Sequence, residues 1–200
     1  IDVSLVGSEM CIRDSIRSKI MDSSFIKRGI YGFSMKLMSL NSSFLIKLLC
    51  EFLVNRWLRD QLGLSFVKSA ATGGAALGPD TFKFFVNIGI PLRQLYGQTE
   101  QIGAYTIHRK GDIDFDSVGF PFDTVKIDID KPDEEGIGEI KVNNKNCMQG
   151  YLNAKENFLS NGWFFTGDAG YINKRGHLVV IDRMSDLSYT AQNLRYSPQY

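Results

Sequence analysis

The chain has 200 residues, 44% of them hydrophobic and 22% charged, with a formal net charge of +1 at pH 7. That length can bury one core, and the near-neutral balance gives no electrostatic footprint for nucleic acid and no basic block that would seek an acidic surface, so composition excludes little. Cys11, Cys50 and Cys147 are odd in number and far apart, which excludes a CxxC zinc pattern and a disulfide framework; a reducing, cytoplasmic setting is expected.

The first fifteen residues stand apart from the rest. Val3 to Ser15 resembles translated sequencing adapter and is set aside from fold reasoning, the alternative being a frayed native terminus. The chain starts at Ile1 without a methionine and stops within Tyr196-Ser-Pro-Gln-Tyr200, so both ends read as cut. Residues 16–40 read as helical with weak caps. Over residues 42–60, Leu45, Leu48, Leu49, Phe52, Leu53 and Leu58 recur at three- and four-residue spacing. That predicts an amphipathic helix opened by Ser42 or Ser43 and stopped near Gly63. Its apolar face suits a core, and a membrane surface is the other use of such a face. No run reaches the roughly 20 apolar residues of a membrane span; the longest, residues 44–54, is interrupted by Lys47 and Glu51.

Beyond Gly63 the pattern changes. Residues 66–72 predict a strand running into Gly73-Gly74, residues 80–87 a short helix ending at Gly89 with Pro91 beyond, and residues 92–96 a second strand. A βαβ-like unit of this kind implies a buried, largely parallel sheet. From about Ser117 the period becomes two: Val125, Ile127 and Ile129 alternate with Lys126, Asp128 and Asp130. Turns at Pro132–Gly136 and Asn161-Gly162, with strands at residues 138–142 and 178–181, predict antiparallel β structure. The fold class expected is α/β followed by a β subdomain.

Four short segments carry candidate chemistry. Thr72-Gly-Gly-Ala-Ala-Leu77 follows a strand, and adjacent glycines let a backbone approach a flat or anionic ligand, although glycine pairs also mark plain turns. Tyr96-Gly-Gln-Thr-Glu100 ends a strand, where open α/β sheets bind ligands. It offers a ring to stack, a hydroxyl for a phosphate and a carboxylate oxygen for Mg²⁺; a solvated turn is the alternative. In Gly162-Trp-Phe-Phe-Thr-Gly-Asp168 a carboxylate held between Gly167 and Ala169 could accept from a ribose diol or bond its own turn. In Ile181-Asp-Arg-Met-Ser-Asp186, Arg183 could reach a sugar or phosphate, or form a surface salt bridge.

Together and in this order, the segments resemble the adenylate-forming synthetases, a family that includes acyl-CoA synthetases, luciferases and peptide-synthetase adenylation domains. Tyr96–Glu100 matches its YGxTE motif and Gly162–Asp168 its GWFxTGD motif. Gly73–Leu77 resembles its SGGAPL segment, with Ala76 in place of proline. Asp116-Ser-Val-Gly-Phe-Pro121, Gly138-Glu-Ile140 and Met148-Gln-Gly-Tyr151 fall at its intervening landmarks. Leu58–Leu64 and Tyr196–Tyr200 look like the long-chain fatty acid–CoA ligase branch.

The resemblance implies part of a large N-terminal domain over residues 16–182, and a hinge and the start of a C-terminal domain over residues 183–200. The implied activity is activation of a fatty acid with ATP to an acyl-adenylate and transfer to coenzyme A, with Mg²⁺ required. Gly74, Ala75 and Ala76 would line the adenine, Tyr96 would stack on it, and Gly97 and Gln98 would belong to the same nucleotide loop. Thr99 would bond the α-phosphate and Glu100 would hold Mg²⁺. Asp168 would bind the ribose hydroxyls with Arg183 beside them, and Ser185 would be the hinge. The acyl chain would pass near Gly97 and Gly103, and the parent protein could associate peripherally with a membrane.

The sequence departs from the family at four points. It contains no phosphate loop ending in lysine; the C-terminal catalytic lysine would lie beyond Tyr200; Asp182 stands where glycine is common; and Ser185 replaces the usual Asp or Lys. The first two predict that this stretch alone is inactive. A ligase for another acid or for a carrier protein, and a noncatalytic nucleotide- or acyl-binding relative, are the alternative functions.

Overall fold

The computed structural model describes residues 2–5, 55–74, 77–152, 159–189 and 195–196. Two compact units, Ile1–Arg93 and Gln94–Tyr200, divide the chain.

In the first unit, strand β1 (Asp2–Leu5) pairs in parallel with β2 (Ser69–Thr72), from Asp2 opposite Ser69 to Leu5 opposite Thr72. The N-terminal segment set aside in the sequence reading therefore contributes a strand. Helix α1 (Arg56–Gln61) is the described end of the amphipathic helix expected over 42–60; residues 42–54 and the helix expected over 16–40 lie outside the described residues. Helix α2 (Pro79–Asn87) starts with Pro79 in its first turn, where the missing N–H costs nothing, and has Asp80 near its positive end. Phe82, Phe85 and Ile88 recur at three-residue spacing and are buried with Leu58 and Leu92. Arg59 Nη1 donates to the Ile88 carbonyl at 2.6 Å and Asn55 Nδ2 to the Asn87 carbonyl at 3.2 Å, satisfying carbonyls left open where α2 ends. The strand expected over 66–72 is shorter than predicted. Phe66 lies in a turn and is 85% exposed, with the Val67 N–H donating to the Leu64 carbonyl.

The division between units falls inside β3 (Leu92–Gln98), whose residues beyond Arg93 pair antiparallel with β4 (Gly103–Ile107). The parallel arrangement was expected of the βαβ-like unit over residues 66–96, and the antiparallel β3–β4 pair continues beyond it. The one-turn helix Thr99–Gln101 and Ile102, with φ of 57°, reverse the chain over four residues, too short a connection for a parallel crossover. Strand β5 (Phe120–Pro121) extends this pairing antiparallel to β4.

Strands β6 (Val125–Asp130), β7 (Gly138–Asn144), β8 (Phe164–Ile172) and β9 (Leu178–Arg183) form an antiparallel sheet in sequence order, antiparallel as expected over 125–130, 138–142 and 178–181, with β8 the strand that was not expected. Asn161 and Gly162, both at positive φ, form the two-residue hairpin turn, with Ser160 and Trp163 exchanging backbone hydrogen bonds at 2.9 Å. Ile140, Val142, Val125, Leu178, Val118 and Tyr105 make one buried cluster. Strands β10 (Ser188–Tyr189) and β11 (Arg195–Tyr196) pair antiparallel.

One buried polar chain runs beside this core. His108 Nδ1 accepts the Gln94 N–H at 3.1 Å, which places the ring proton on Nε2, 2.9 Å from the Asp114 carbonyl oxygen. Ser117 Oγ lies 3.1 Å from that Nε2 and 2.9 Å from His177 Nδ1. A second proton on His108 would set an N–H against the Gln94 N–H, and burial, the main cause, holds its pKa below the usual 6.5. A depressed pKa means that the unfolded chain takes up this proton first. The stability is therefore intact above 6.5 and is lost as pH falls from 6.5 through the folded pKa. Thermal midpoints of the full-length protein between pH 8 and 5 are expected to fall below pH 6.5, with a smaller fall in His108→Gln.

Candidate functional site

Asp168 lies on β8 directly after Gly167, whose φ of 71° favours a residue without a Cβ. The backbone around it is fixed on both sides. The Gly167 N–H donates to Glu139 Oε1 at 3.0 Å, and the Gly167 carbonyl accepts the Met184 N–H at 2.8 Å. The Asp168 N–H donates to Thr166 Oγ1 at 3.1 Å, and that hydroxyl donates to the Ile140 carbonyl at 2.8 Å.

The side chain of Asp168 is surrounded by donors from two strands. Register sets it opposite Arg183 on β9, with Arg183 Nε 3.1 Å from Asp168 Oδ1 and Nη1 donating to the Thr166 carbonyl at 3.3 Å. From β3, the Tyr96 hydroxyl and Gln98 Nε2, the latter at 2.7 Å, both donate to Asp168 Oδ2; Gln98 Nε2 also reaches the Thr166 carbonyl at 3.0 Å. Three donors thus meet a carboxylate that can accept about four. Asp168 is 6% exposed, whereas the Arg183 side chain is 56% exposed, so the acid sits beneath a guanidinium that faces solvent.

Tyr96 packs edge-to-face on Tyr105, centroids 4.9 Å apart. Burial above all, then the neighbouring Tyr105 and Asp168, drives its pKa up, so its hydroxyl stays a donor. Gly97 sits at a bulge in the β3–β4 pairing, and a Cβ there would lie 2.1 Å from the Gly103 carbonyl oxygen. The close approach that this glycine permits is that of β4.

Thr99 is exposed and opens the turn whose last N–H, from Ile102, donates to the Thr99 carbonyl at 3.0 Å. Glu100 Oε1 accepts the Tyr151 hydroxyl, and that bond, the main cause, holds the Glu100 carboxyl below the usual carboxylate range. Among the described residues no group of three or more His, Cys, Asp or Glu side chains could hold a metal ion. A single ionised carboxylate nevertheless fits Mg²⁺, which commonly takes one or two carboxylates and completes its shell with water and substrate phosphates.

The structure therefore brings Tyr96, Gln98, Asp168 and Arg183 into one bonded set and places Glu100 on the turn that follows β3. Gly74 belongs to the first unit, exposed and with φ of 91°; Ala75 and Ala76 lie outside the described residues. Ser185 is exposed in a turn after β9, its hydroxyl donating to Asp186 Oδ1 at 2.8 Å. Asp182, the departure from glycine, is buried and accepts the Arg183 N–H at 2.8 Å. Sequence reasoning did not assign Glu139, Thr166 or Tyr151 a role, although all three stand inside segments it had marked.

The pattern of the AMP-binding enzyme family matches residues 5–152. The long-chain-fatty-acid–CoA ligase ACSBG2 of Gallus gallus is 33% identical over 147 residues, 72% of this chain and 19% of that protein. The 2-succinylbenzoate–CoA ligase of Staphylococcus epidermidis is 31% identical over 140 residues, 66% of this chain and 29% of that protein. The solved o-succinylbenzoate coenzyme A synthetase of Bacillus subtilis, in complex with ATP and magnesium ion, superposes with a TM-score of 0.59 at 29% identity, covering 66% of this chain and 30% of that one. The chain spans less than a third of the length of each of these proteins. With a match covering most of its residues, the chain belongs to the AMP-binding enzyme family and has the α/β fold of the N-terminal domain of adenylate-forming enzymes.

Proposed function

We propose that the full-length protein activates a long-chain fatty acid with ATP and transfers it to coenzyme A. In the first step a carboxylate oxygen of the acid attacks the α-phosphorus, and the bond to pyrophosphate breaks. In the second the thiol sulfur of coenzyme A attacks the acyl carbon, the thiol proton is lost, and AMP departs. The observation that carries this reading is the buried Asp168 carboxylate, held by Tyr96 and Gln98 from 72 and 70 residues away in a chain of the AMP-binding family.

Neither step needs a strong acid or base; positioning and charge stabilisation supply the rate. Asp168 offers the ribose its remaining acceptor position. A diol brings two donors, so one standing donor gives way, and the more exposed Arg183 is the one able to turn toward the sugar. Tyr96 and Gln98 keep the acid fixed meanwhile. Thr99 reaches the α-phosphate, and Glu100 holds Mg²⁺, which when bound neutralises phosphate charge.

The fatty acid assignment draws on the Gallus gallus relative, while the Staphylococcus epidermidis relative is named for 2-succinylbenzoate. ATP–pyrophosphate exchange by the full-length protein, run with palmitate, benzoate and 2-succinylbenzoate, separates the two. Each buried methylene contributes about 1–3 kcal/mol of discrimination, so palmitate is expected to exceed the aromatic acids by at least about ten-fold. Preference for an aromatic acid would reassign the substrate, and exchange with no acid would leave a nucleotide-binding protein without the ligase activity.

A further inference from the structure

Glu100 is held by a segment that the nucleotide motif does not include. Besides the bond from the Tyr151 hydroxyl to Oε1, the Met148 N–H donates to the Glu100 carbonyl at 3.0 Å. Next along the turn, Gln101 Nε2 lies 3.1 Å from Cys147 Sγ, and Asn144 Nδ2 reaches the Gln101 carbonyl at 3.5 Å. The stretch from the end of β7 to Tyr151 thus clasps both the backbone and the carboxylate of the turn.

Left alone, a glutamate at such a turn would spread over several rotamers, and ordering it for a cation would cost rotamer entropy on each binding. A hydroxyl on one carboxylate oxygen removes that freedom and keeps the other oxygen for the cation, as groups bonded to metal-ligating carboxylates commonly do.

From this contact set we infer that Tyr151 is a positioning residue, fixing the Glu100 carboxylate for the divalent cation that accompanies ATP. The inference rests on the reading of Glu100 as the cation's carboxylate. Tyr151 is 59% exposed, so removing one hydroxyl there leaves the core untouched.

The test uses the full-length protein with Mn²⁺ as probe, bound in the presence of a nonhydrolysable ATP analogue and followed by the paramagnetic resonance of free Mn²⁺. Tyr151→Phe, Glu100→Gln and the double variant form a cycle, and analogue affinity in EDTA is measured for each. Losing a residue that orients a metal ligand typically costs ten-fold or more in affinity. Tyr151→Phe is therefore expected to weaken Mn²⁺ binding by about ten-fold, to add nothing in the Glu100→Gln background, and to leave analogue binding in EDTA unchanged. Unchanged Mn²⁺ affinity in Tyr151→Phe, with Glu100→Gln impaired, overturns the role of Tyr151 alone. An equal loss in both backgrounds, or weaker analogue binding in EDTA, overturns it as well, because Tyr151 then acts elsewhere. If Glu100→Gln itself leaves Mn²⁺ binding intact, the reading of Glu100 falls and the inference with it.

Discussion

Asp168→Asn is expected to lower acid-dependent ATP–pyrophosphate exchange in the full-length protein by about a hundred-fold or more. Asparagine keeps the volume of the buried side chain but replaces one acceptor oxygen with a donor. In one amide orientation its NH₂ faces Tyr96 and Gln98, and in the other it faces Arg183, so a donor opposes a donor either way. Hydrogen bonds to a charged group contribute about 1.5–3 kcal/mol each. Losing two such bonds to a ribose diol would cost about 3 kcal/mol or more, which corresponds to the hundred-fold. Steady-state exchange at several ATP concentrations checks this, with the circular dichroism of the variant confirming that it is folded. A loss of less than about three-fold would remove Asp168 from the nucleotide site.

Gly97→Ala is expected to cost about 3 kcal/mol of stability or more, at the upper end of what overpacking costs. The new Cβ would lie 2.1 Å from the Gly103 carbonyl oxygen and 2.5 Å from the Ala104 Cα. Both are backbone atoms, so relief requires β3 and β4 to separate. Tyr96 and Gln98 flank the position, and the Asp168 contacts would open with the strands. Gly103→Ala is the informative control. Its φ of 110° strains an alanine, but nothing lies within 4 Å of the added carbon. A loss of about 1–3 kcal/mol from strain alone is expected there. Chemical denaturation of the two variants side by side measures the difference, and equal losses would show that the β3–β4 approach is not what requires glycine at 97.

The division between what could and could not be read from the residues follows from the range of the forces involved. Local signals carried far. Gly89 ends α2 because glycine acts on the backbone at its own position, and Asn161-Gly162 produced its hairpin for the same reason. The period of two in Val125–Asp130 gave β6 and its burial pattern. What the residues did not announce was the β3–β4 pair. Nothing in Leu92–Ile107 announces an antiparallel pair except the shortness of the connection, and Ile102, a β-branched residue at positive φ, is an unexpected place to turn. β8 was hidden because its glycines resemble turn punctuation, whereas Gly167 takes a positive φ within the strand and Gly170 permits the close approach of β9.

At the candidate site, Tyr96, Asp168 and Arg183, each marked within its own segment, are joined in the structure. The contacts that orient them are tertiary, which short motifs do not encode. Gln98 reaches Asp168 across 70 residues of sequence, Glu139 holds the Gly167 N–H across 28, and Tyr151 reaches Glu100 across 51. Tyr96 was expected to present a ring to a base; the structure adds that its hydroxyl is committed to Asp168.

The most direct measurement is a comparison of how tightly the full-length protein and its Asp168→Asn variant bind ATP and 2′-deoxy-ATP. A carboxylate that accepts from the ribose should make the native protein prefer ATP by about ten-fold or more, in line with one hydrogen bond to a charged group, and that preference should vanish in the variant. A native protein indifferent to the 2′-hydroxyl, or a variant that keeps the full preference, would place the ribose elsewhere and contradict the account.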